Sequence, residues 1–231
     1  MIIKGTIPSN WYESRIESEL RLLSIFIKSV EAQIVSNIQD YSENQEPIIA
    51  EHDEWDIHVP SVNWAYQGID DSEFHLDDIF KNYLPNLHRV SAFITLNNFF
   101  EGEIKYLCDL FKRINKYKVS ISDLRKEGSD IYKGIKYLSL ICNLDIDKKD
   151  FEYKKLDLLI SVRNKFVHEL GVASGDFRAN IEKTMKESNF NIVKFQHDPS
   201  EENNMILTDE SLSLILEFYR SIFLVIQSKI I

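Results

Sequence analysis

Residues that make tight turns are scarce in this sequence of 231 residues, which has only 7 glycines and 5 prolines. A β-rich fold with many tight turns usually needs more of them, and so does an α/β fold that binds phosphates through glycine-rich loops. Apolar residues make up 44%, and 24 of the 27 aromatic residues are Phe or Tyr, which is enough to fill a core. The sequence therefore predicts an all-α fold in a single domain spanning 1–231.

Cysteine is nearly absent, since only Cys108 and Cys142 occur and each lies among Leu and Ile. No CxxC motif and no Cys/His cluster is present, which argues against a zinc site and against a disulfide framework. The apolar run at 212–231 is interrupted by Glu217 and Arg220, so it resembles a buried or amphipathic helix rather than a membrane span. We therefore expect a cytoplasmic protein that uses no metal, no cofactor and no membrane.

Several familiar catalytic motifs are also missing, including GxxxxGK[ST], GxSxG and HExxH. The six histidines are scattered along the chain. His52 and His58 lie among carboxylates, and we interpret them as solvated loop residues rather than metal ligands.

Positive charge is in deficit, because the formal net charge is −10, which argues against non-specific binding to nucleic acids. The deficit is uneven. Residues 105–168 hold 15 Lys or Arg and 9 Asp or Glu, whereas the remainder holds 12 and 28. A mildly basic segment is thus embedded in an acidic protein, and charge alone does not distinguish a binding surface from an ordinary solvated one.

Apolar residues recur at three- and four-residue spacing along most of the chain, which is typical of helices with one buried face. The first helix is predicted over 9–42. Further helices are predicted near 72, over 85–118, from 122, over 130–142, over 147–170, over 176–188 and from 209 to the C-terminus. Gly171 is expected to end the 147–170 helix as its C′ residue.

Two segments depart from this helical pattern. Residues 43–72 are predicted to form an irregular acidic excursion, with short strands at most. The stretch 43–78 carries 11 acidic residues and no Lys or Arg. We interpret the excursion as a solvated cover over part of the core. Alternating residues over 190–208 predict a small β-hairpin before the C-terminal helix.

One polar group interrupts the apolar stripe of the 147–170 helix. The predicted stripe is Leu156, Leu159, Ile160, Phe166, Val167 and Leu170. At 100° per residue, Arg163 falls in the middle of this stripe, where its charge must be paired or must face a cavity. Asn164 and His168 are four residues apart, so they lie one above the other on the flank. Arg163 and His168 diverge by about 140°. They meet only if the Arg side chain curls, the helix distorts or a second chain completes the site.

The segment Arg163-Asn164-Lys165-Phe166-Val167-His168 resembles the R-N-x-x-x-H signature of the HEPN superfamily. The upstream segment 94–104 resembles the early core helix of that superfamily, in which a bulky run precedes an acidic residue, here Glu101. The resemblance covers about 85–170, and the acidic excursion and the β-hairpin would be additions to the HEPN-like helical bundle.

The resemblance implies a homodimeric, metal-independent endoribonuclease of a toxin–antitoxin or phage-defence system, whose partners are RNA and an antitoxin or defence protein. His168 would move a proton, Arg163 would stabilise charge on the phosphate, and Asn164 would orient the reacting groups. Glu101 would support them. HEPN toxins paired with nucleotidyltransferase antitoxins commonly carry Tyr two residues after the His, and Leu170 at this position argues against that pairing.

Three other interpretations stay open from the residues alone. The chain could be a non-catalytic HEPN dimerisation or nucleotide-binding module. It could be an unrelated helical bundle in which Arg163 is a buried ion-pair partner of Glu101. The acidic excursion could instead act as a nucleic-acid mimic that binds a basic protein.

Overall fold

The computed structural model describes residues 10–54, 57–125, 129–146, 152–197 and 203–230. Within these ranges the chain is mostly helical and carries two small antiparallel sheets. The α-helices are α1 (Glu17–Glu43), α2 (Leu84–Asn115), α3 (Asp130–Leu140), α4 (Tyr153–Glu169), α5 (Gly175–Ser188) and α6 (Ser211–Ile230). Short π-helical turns at Tyr12–Ile16 and Asp78–Tyr83 lead into α1 and α2, and a 3₁₀ turn covers Ile121–Asp123.

The chain divides into two compact units. The larger unit contains 1–27 and 92–231, and the smaller contains 28–91. A compact unit is not by itself an independently folding domain, so the single domain stays a prediction.

Aromatic rings form much of the core of the larger unit. The fully buried ring of Tyr219, on α6, stacks on Phe100 of α2 with centroids 4.2 Å apart, and Phe223 packs against Phe100 at 5.0 Å. Before α1, the backbone N–H of Tyr12 donates to the buried side chain of Gln227 at 2.8 Å, which connects the first turn to the last helix. These contacts fix α2, the helix that carries Glu101.

Helix α6 is the one helix within the described ranges that is long and apolar enough to cross a membrane. Its most apolar stretch is 56% buried inside the fold, which is typical of a core helix. Leu212, Ile215, Ile222 and Phe223 are each almost fully buried. The prediction of a buried or amphipathic helix at this end of the chain is confirmed.

A second sheet forms around the predicted C-terminal hairpin. Strands β5 (Val193–His197) and β6 (Asn203–Leu207) pair antiparallel, so the small hairpin before α6 is confirmed. The two-residue strand β4 (Val172–Ala173) joins the other edge of β6, so that the sheet has the order β4-β6-β5. The turn predicted at 197–199 falls largely outside the described residues.

The smaller unit differs from the irregular excursion that was predicted for 43–72. Strands β1 (Glu46–Glu54) and β2 (Ile57–Tyr66) form a long antiparallel hairpin, and β3 (Ile69–Asp70) pairs with the end of β2. At its base, Tyr41, Tyr66, Leu76 and Phe80 form a buried cluster. The hydroxyl of Tyr41 donates to Asp77 at 2.8 Å, and the hydroxyl of Tyr66 donates to Asp40. The excursion is thus a regular sheet anchored by an aromatic core, and the side chains of 50–61, His52 and His58 included, lie outside the described part.

The helix boundaries largely match the predictions. The predicted 9–42, 130–142 and 176–188 helices correspond to the helical segments that end at Glu43, Leu140 and Ser188. Helix α4 begins at Tyr153 within the described residues, and the start that was predicted at 147 lies outside them. Side chains of Ser129 and Ser174 accept from the third residue of α3 and α5, as N-cap residues do.

Candidate active site

Helix α4 carries the sequence motif and presents two different faces. Its buried residues are Leu156, Leu158, Leu159, Val162 and Phe166. Val167 and Leu170, which were predicted to belong to the buried stripe, are exposed by 39% and 89%. The centre of the buried face is therefore rotated, and at 100° per residue Arg163 lies about 70° from it. Arg163 stands at the edge of the buried face, and its predicted place in the middle is wrong.

The C-terminal end of α4 is fixed by backbone geometry. Leu170 adopts a left-handed conformation with φ of 53°, and Gly171 follows with φ of 85°. The N–H of Gly171 donates to the carbonyl of Lys165 at 3.2 Å, and its carbonyl accepts from the N–H of Met205, on β6, at 3.0 Å. Gly171 is thus the predicted C′ residue, and it also connects the end of α4 to the second sheet.

The four predicted site residues line one cavity of about 510 Å³ in the larger unit. It lies between α2, the first turn of α3 and the polar face of α4. Its lining includes Arg163, Asn164, His168 and Glu101, and it also contains Asn97, Ser129, Asp130, Ile131, Tyr132, Asp157, Ile160 and Ser161. The structure therefore brings all four residues together, although Glu101 is distant from the others in sequence.

The guanidinium of Arg163 lies next to Asn164. Its Nη1 donates to Oδ1 of Asn164 at 3.2 Å. Both side chains line the cavity together with His168. The Nε atom of Arg163 is buried and has no hydrogen-bond partner among the described residues. An unsatisfied buried donor costs about 1–3 kcal/mol, and more when the group is charged.

Within the described part of the chain, no ion pair is formed between Arg163 and Glu101. The guanidinium hydrogen-bonds to Asn164 and influences Glu101 through its charge. Burial, together with the charge and hydrogen bond of Asp130, raises the pKa of the Glu101 carboxyl above its ordinary value, against the opposing charges of Arg163 and Lys105. Two neighbouring carboxyl groups thus share this region, and each disfavours the charge of the other.

His168 is exposed, and it stands at the end of a polar ridge on α4. Asp157, Ser161, Asn164 and His168 follow at intervals of three and four residues, which places them in one row along the helix. All four line the cavity, so the ridge forms one wall of a groove. This spacing is visible in the sequence, and it could have identified Asp157 and Ser161 as site residues.

A buried amide in the lining of the cavity was not identified from the sequence. Asn97 is only 3% exposed, and its Oδ1 accepts from the hydroxyl of Tyr219 at 3.1 Å. Burial and the charge of Glu101 raise the pKa of the Tyr219 hydroxyl, so it stays a neutral donor. This hydrogen bond connects α2 to α6 next to Glu101. Asn97 occurs in an apolar stretch that gives no functional signal.

A second cavity of about 470 Å³ adjoins the first and shares Tyr132 and Asp157 with it. The rings of Tyr132 and Tyr153 stack with centroids 5.5 Å apart and planes 10° from parallel. The hydroxyl of Tyr132 donates to Oδ1 of Asp157. The remaining lining residues are Ile135, Lys136, Ser139, Leu140 and Ile146. No signal in the sequence analysis pointed to this cavity.

Within the described ranges, no group of three or more His, Cys, Asp or Glu side chains is arranged to hold a metal ion. When the chain is compared with protein-family models, with curated proteins and with solved structures, no match is found.

Proposed function

We propose that this protein is a metal-independent endoribonuclease of the HEPN type, with Arg163 and His168 as its catalytic residues. The supporting observation is the cavity on α4, which collects Arg163, Asn164 and His168 among its lining residues. The fork of Arg donors matches the non-bridging oxygens of a phosphate that enters this cavity.

The proposed reaction uses the RNA's own 2′-hydroxyl as nucleophile. Its oxygen attacks the adjacent phosphorus, the bond from phosphorus to the 5′-oxygen breaks, and the products carry a 2′,3′-cyclic phosphate and a 5′-hydroxyl. His168 is exposed to solvent and lines the cavity, so its imidazole is accessible to take the proton from the 2′-hydroxyl and to give it to the 5′-oxygen. Arg163 stabilises the negative charge that grows on the phosphate oxygens.

The remaining polar groups position these two. Asn164 accepts from Arg163 and so holds the guanidinium over the polar face of α4. Glu101 supports the site from α2. Burial and the neighbouring Asp130 raise the pKa of its carboxyl above the ordinary value.

We also propose that two copies of the chain form a homodimer through the surface next to the motif. The apolar side chains of Val167, on α4, and of Leu170, directly after it, are exposed next to the motif. A twofold contact there would cover them and would place two copies of the motif near one axis. The setting we propose is a cytoplasmic toxin–antitoxin or phage-defence system with an antitoxin or defence protein as partner.

The test is RNA cleavage by the purified chain with and without EDTA. We expect cleavage in EDTA, cyclic phosphate ends, and loss of at least about 100-fold in rate for His168→Ala and for Arg163→Ala. The matched controls are His88→Ala and Arg21→Ala, because both side chains are exposed and neither lines the cavity. Unchanged cleavage in either motif variant, or strict dependence on Mg²⁺, would contradict the proposal.

A second candidate function is a non-catalytic nucleotide-binding module, and the cavity with stacked tyrosines favours it. In that case nucleotides would bind while RNA stays intact. The acidic nucleic-acid mimic also stays a proposal. It predicts that a basic protein binds the full chain and fails to bind a chain without the β1–β2 hairpin.

A further inference from the structure

The second cavity extends the proposed catalytic groove towards the N-terminal end of α4. Tyr132 and Asp157 line both cavities, so the two cavities lie next to each other at these residues. Arg163 and Asp157 are six residues apart on one helix, which is about 9 Å along its axis. Two to three stacked nucleotides span that distance at about 3.4 Å each. A strand whose phosphate contacts Arg163 therefore places a nearby base at the second cavity.

The walls of this cavity suit the flat face of a base. Ile135 and Ile146 are almost fully buried, and Leu140 is 64% exposed, so the apolar lining runs from the core to the opening. The half-buried rings of Tyr132 and Tyr153 are held parallel to each other. A base that stacks on an aromatic side chain gains about 1–3 kcal/mol. A volume of about 470 Å³ leaves room for a purine.

The polar groups of the cavity are a carboxylate, an ammonium group and a hydroxyl, from Asp157, Lys136 and Ser139. The hydroxyl of Tyr132 holds the Asp157 carboxylate in place. A carboxylate accepts two parallel donors, and guanine presents the adjacent donors N1–H and N2–H on one edge. Lys pairs with the guanine acceptors O6 and N7. Adenine presents an acceptor at N1 beside its single amino donor, so it does not match the carboxylate.

From this arrangement we infer that the second cavity is a guanine-binding subsite, with Asp157 as its specificity residue. It selects RNA that carries a guanosine within about three nucleotides of the phosphate at Arg163. This inference rests on the proposed function for the identity of the ligand, a single-stranded RNA. Base recognition itself requires no cleavage.

The experiment measures RNA binding on the full chain carrying His168→Ala, so that the probe stays intact. The probes are a short oligouridine and the same oligonucleotide with one guanosine or one adenosine, followed by fluorescence anisotropy. We expect the guanosine probe to bind at least about tenfold more tightly than the adenosine probe. Adding Asp157→Asn should remove that ratio, whereas Asp109→Asn, an exposed helical carboxylate away from both cavities, should keep it.

The ratio between the two probes is the informative quantity, because removing any carboxylate strengthens binding to every RNA. The amide oxygen introduced by Asp157→Asn would still accept from the Tyr132 hydroxyl, so the variant should fold. Lys136→Met provides a second variant, which should reduce the same ratio. Equal affinities for the two probes, or a guanosine preference that survives Asp157→Asn, would overturn the inference.

The two proposals fail in different ways. If the wild-type chain cleaves no RNA but the His168→Ala chain shows the guanosine ratio, the subsite stands and the endoribonuclease does not. If the wild-type chain cleaves RNA and the His168→Ala chain shows no guanosine ratio, the endoribonuclease stands and the subsite is refuted.

Discussion

Replacing Gly171 by Ala tests whether the end of α4 determines activity. An added Cβ would lie 2.9 Å from Cε1 and 3.0 Å from Cδ1 of Phe166, and ordinary contact begins at 3.4 Å. The ring would therefore have to retreat by about 0.5 Å. Phe166 is only 5% exposed, so its neighbours would have to move with it. Gly171 also has a backbone φ angle of +85°, a conformation that residues with L side chains rarely adopt.

These two costs can be separated with a matched glycine. Gly68 has φ of +80°, but nothing lies within 4 Å of its added Cβ. Gly68→Ala should therefore carry only the backbone cost, about 1–2 kcal/mol of unfolding free energy. Gly171→Ala should carry the same cost and about 1–3 kcal/mol more from overpacking Phe166. The measurement is urea unfolding followed by circular dichroism, with tyrosine and tryptophan fluorescence as a second probe.

Activity should follow the same order. Displacing the end of α4 moves His168, three residues before Gly171, so Gly171→Ala should lower RNA cleavage or RNA binding below the level of Gly68→Ala. If Gly171→Ala were as stable as Gly68→Ala, the contact with Phe166 would not constrain the helix. If it were less stable but fully active, the end of α4 would not set the position of His168.

Three further outcomes are expected. The folded chain holds the Glu101 proton more tightly than the unfolded chain, since the pKa of this carboxyl is raised. The wild type should therefore lose stability as pH rises from about 4.5 until the raised pKa is passed, and Glu101→Gln should lack that loss in urea unfolding. Light scattering should show a dimer at micromolar concentration that Val167→Asp weakens, and a wild-type monomer would refute the α4 interface. Replacing 48–63 by an Asn-Gly turn between the paired Pro47 and Trp64 should change RNA affinity by less than about tenfold. A larger gain at low salt that fades at high salt would identify the hairpin as an inhibitory mask.

Most helices could be predicted because each buries one face and begins or ends with a recognisable signal. Ser174 caps α5 and Gly171 ends α4 with a positive φ, and both residue types are favoured there for local reasons. Capping and helix-ending signals of this kind depend only on residues that are close in the sequence, so they can be recognised from the sequence alone.

The β1–β2 hairpin could not be predicted, because it lacks the pattern that a single buried face produces. Alternation in a strand arises when one face is buried, but Ile48 and Ile49 are exposed by 43% and 71%, and Val62 by 59%. Because the neighbouring residues Ile48 and Ile49 point to opposite faces and are both exposed, the apolar residues at this end of the hairpin show no period of two. The anchoring core lies at its base, where Tyr66 packs against residues of other elements.

The candidate site shows the same limit at the level of single residues. The motif placed Arg163, Asn164 and His168 correctly on one helix, but it could not tell which apolar neighbours are buried. Val162 is inside and Val167 is exposed, although the two side chains are identical. Their difference in burial depends on which other elements pack against α4, and the sequence of this helix alone does not contain that information. The same lack of tertiary information hid Asp130 and Tyr132, which come from a different helix.

The second sheet is part of the site because it holds the end of α4. The carbonyl of Gly171 accepts from Met205 on β6, and β4 follows α4 directly. On the adjacent turn, Lys165 pairs with Glu169 and lies 4.8 Å from the ring centroid of Phe177 on α5. A catalytic group must be held to within about 0.5 Å, which a frayed helix end does not allow. His168 lies in this last turn and is itself exposed, so its position depends on the backbone bonds that β6 supplies. The β5–β6 hairpin therefore stabilises the end of α4 and, with it, the position of His168, the proposed proton-transfer group.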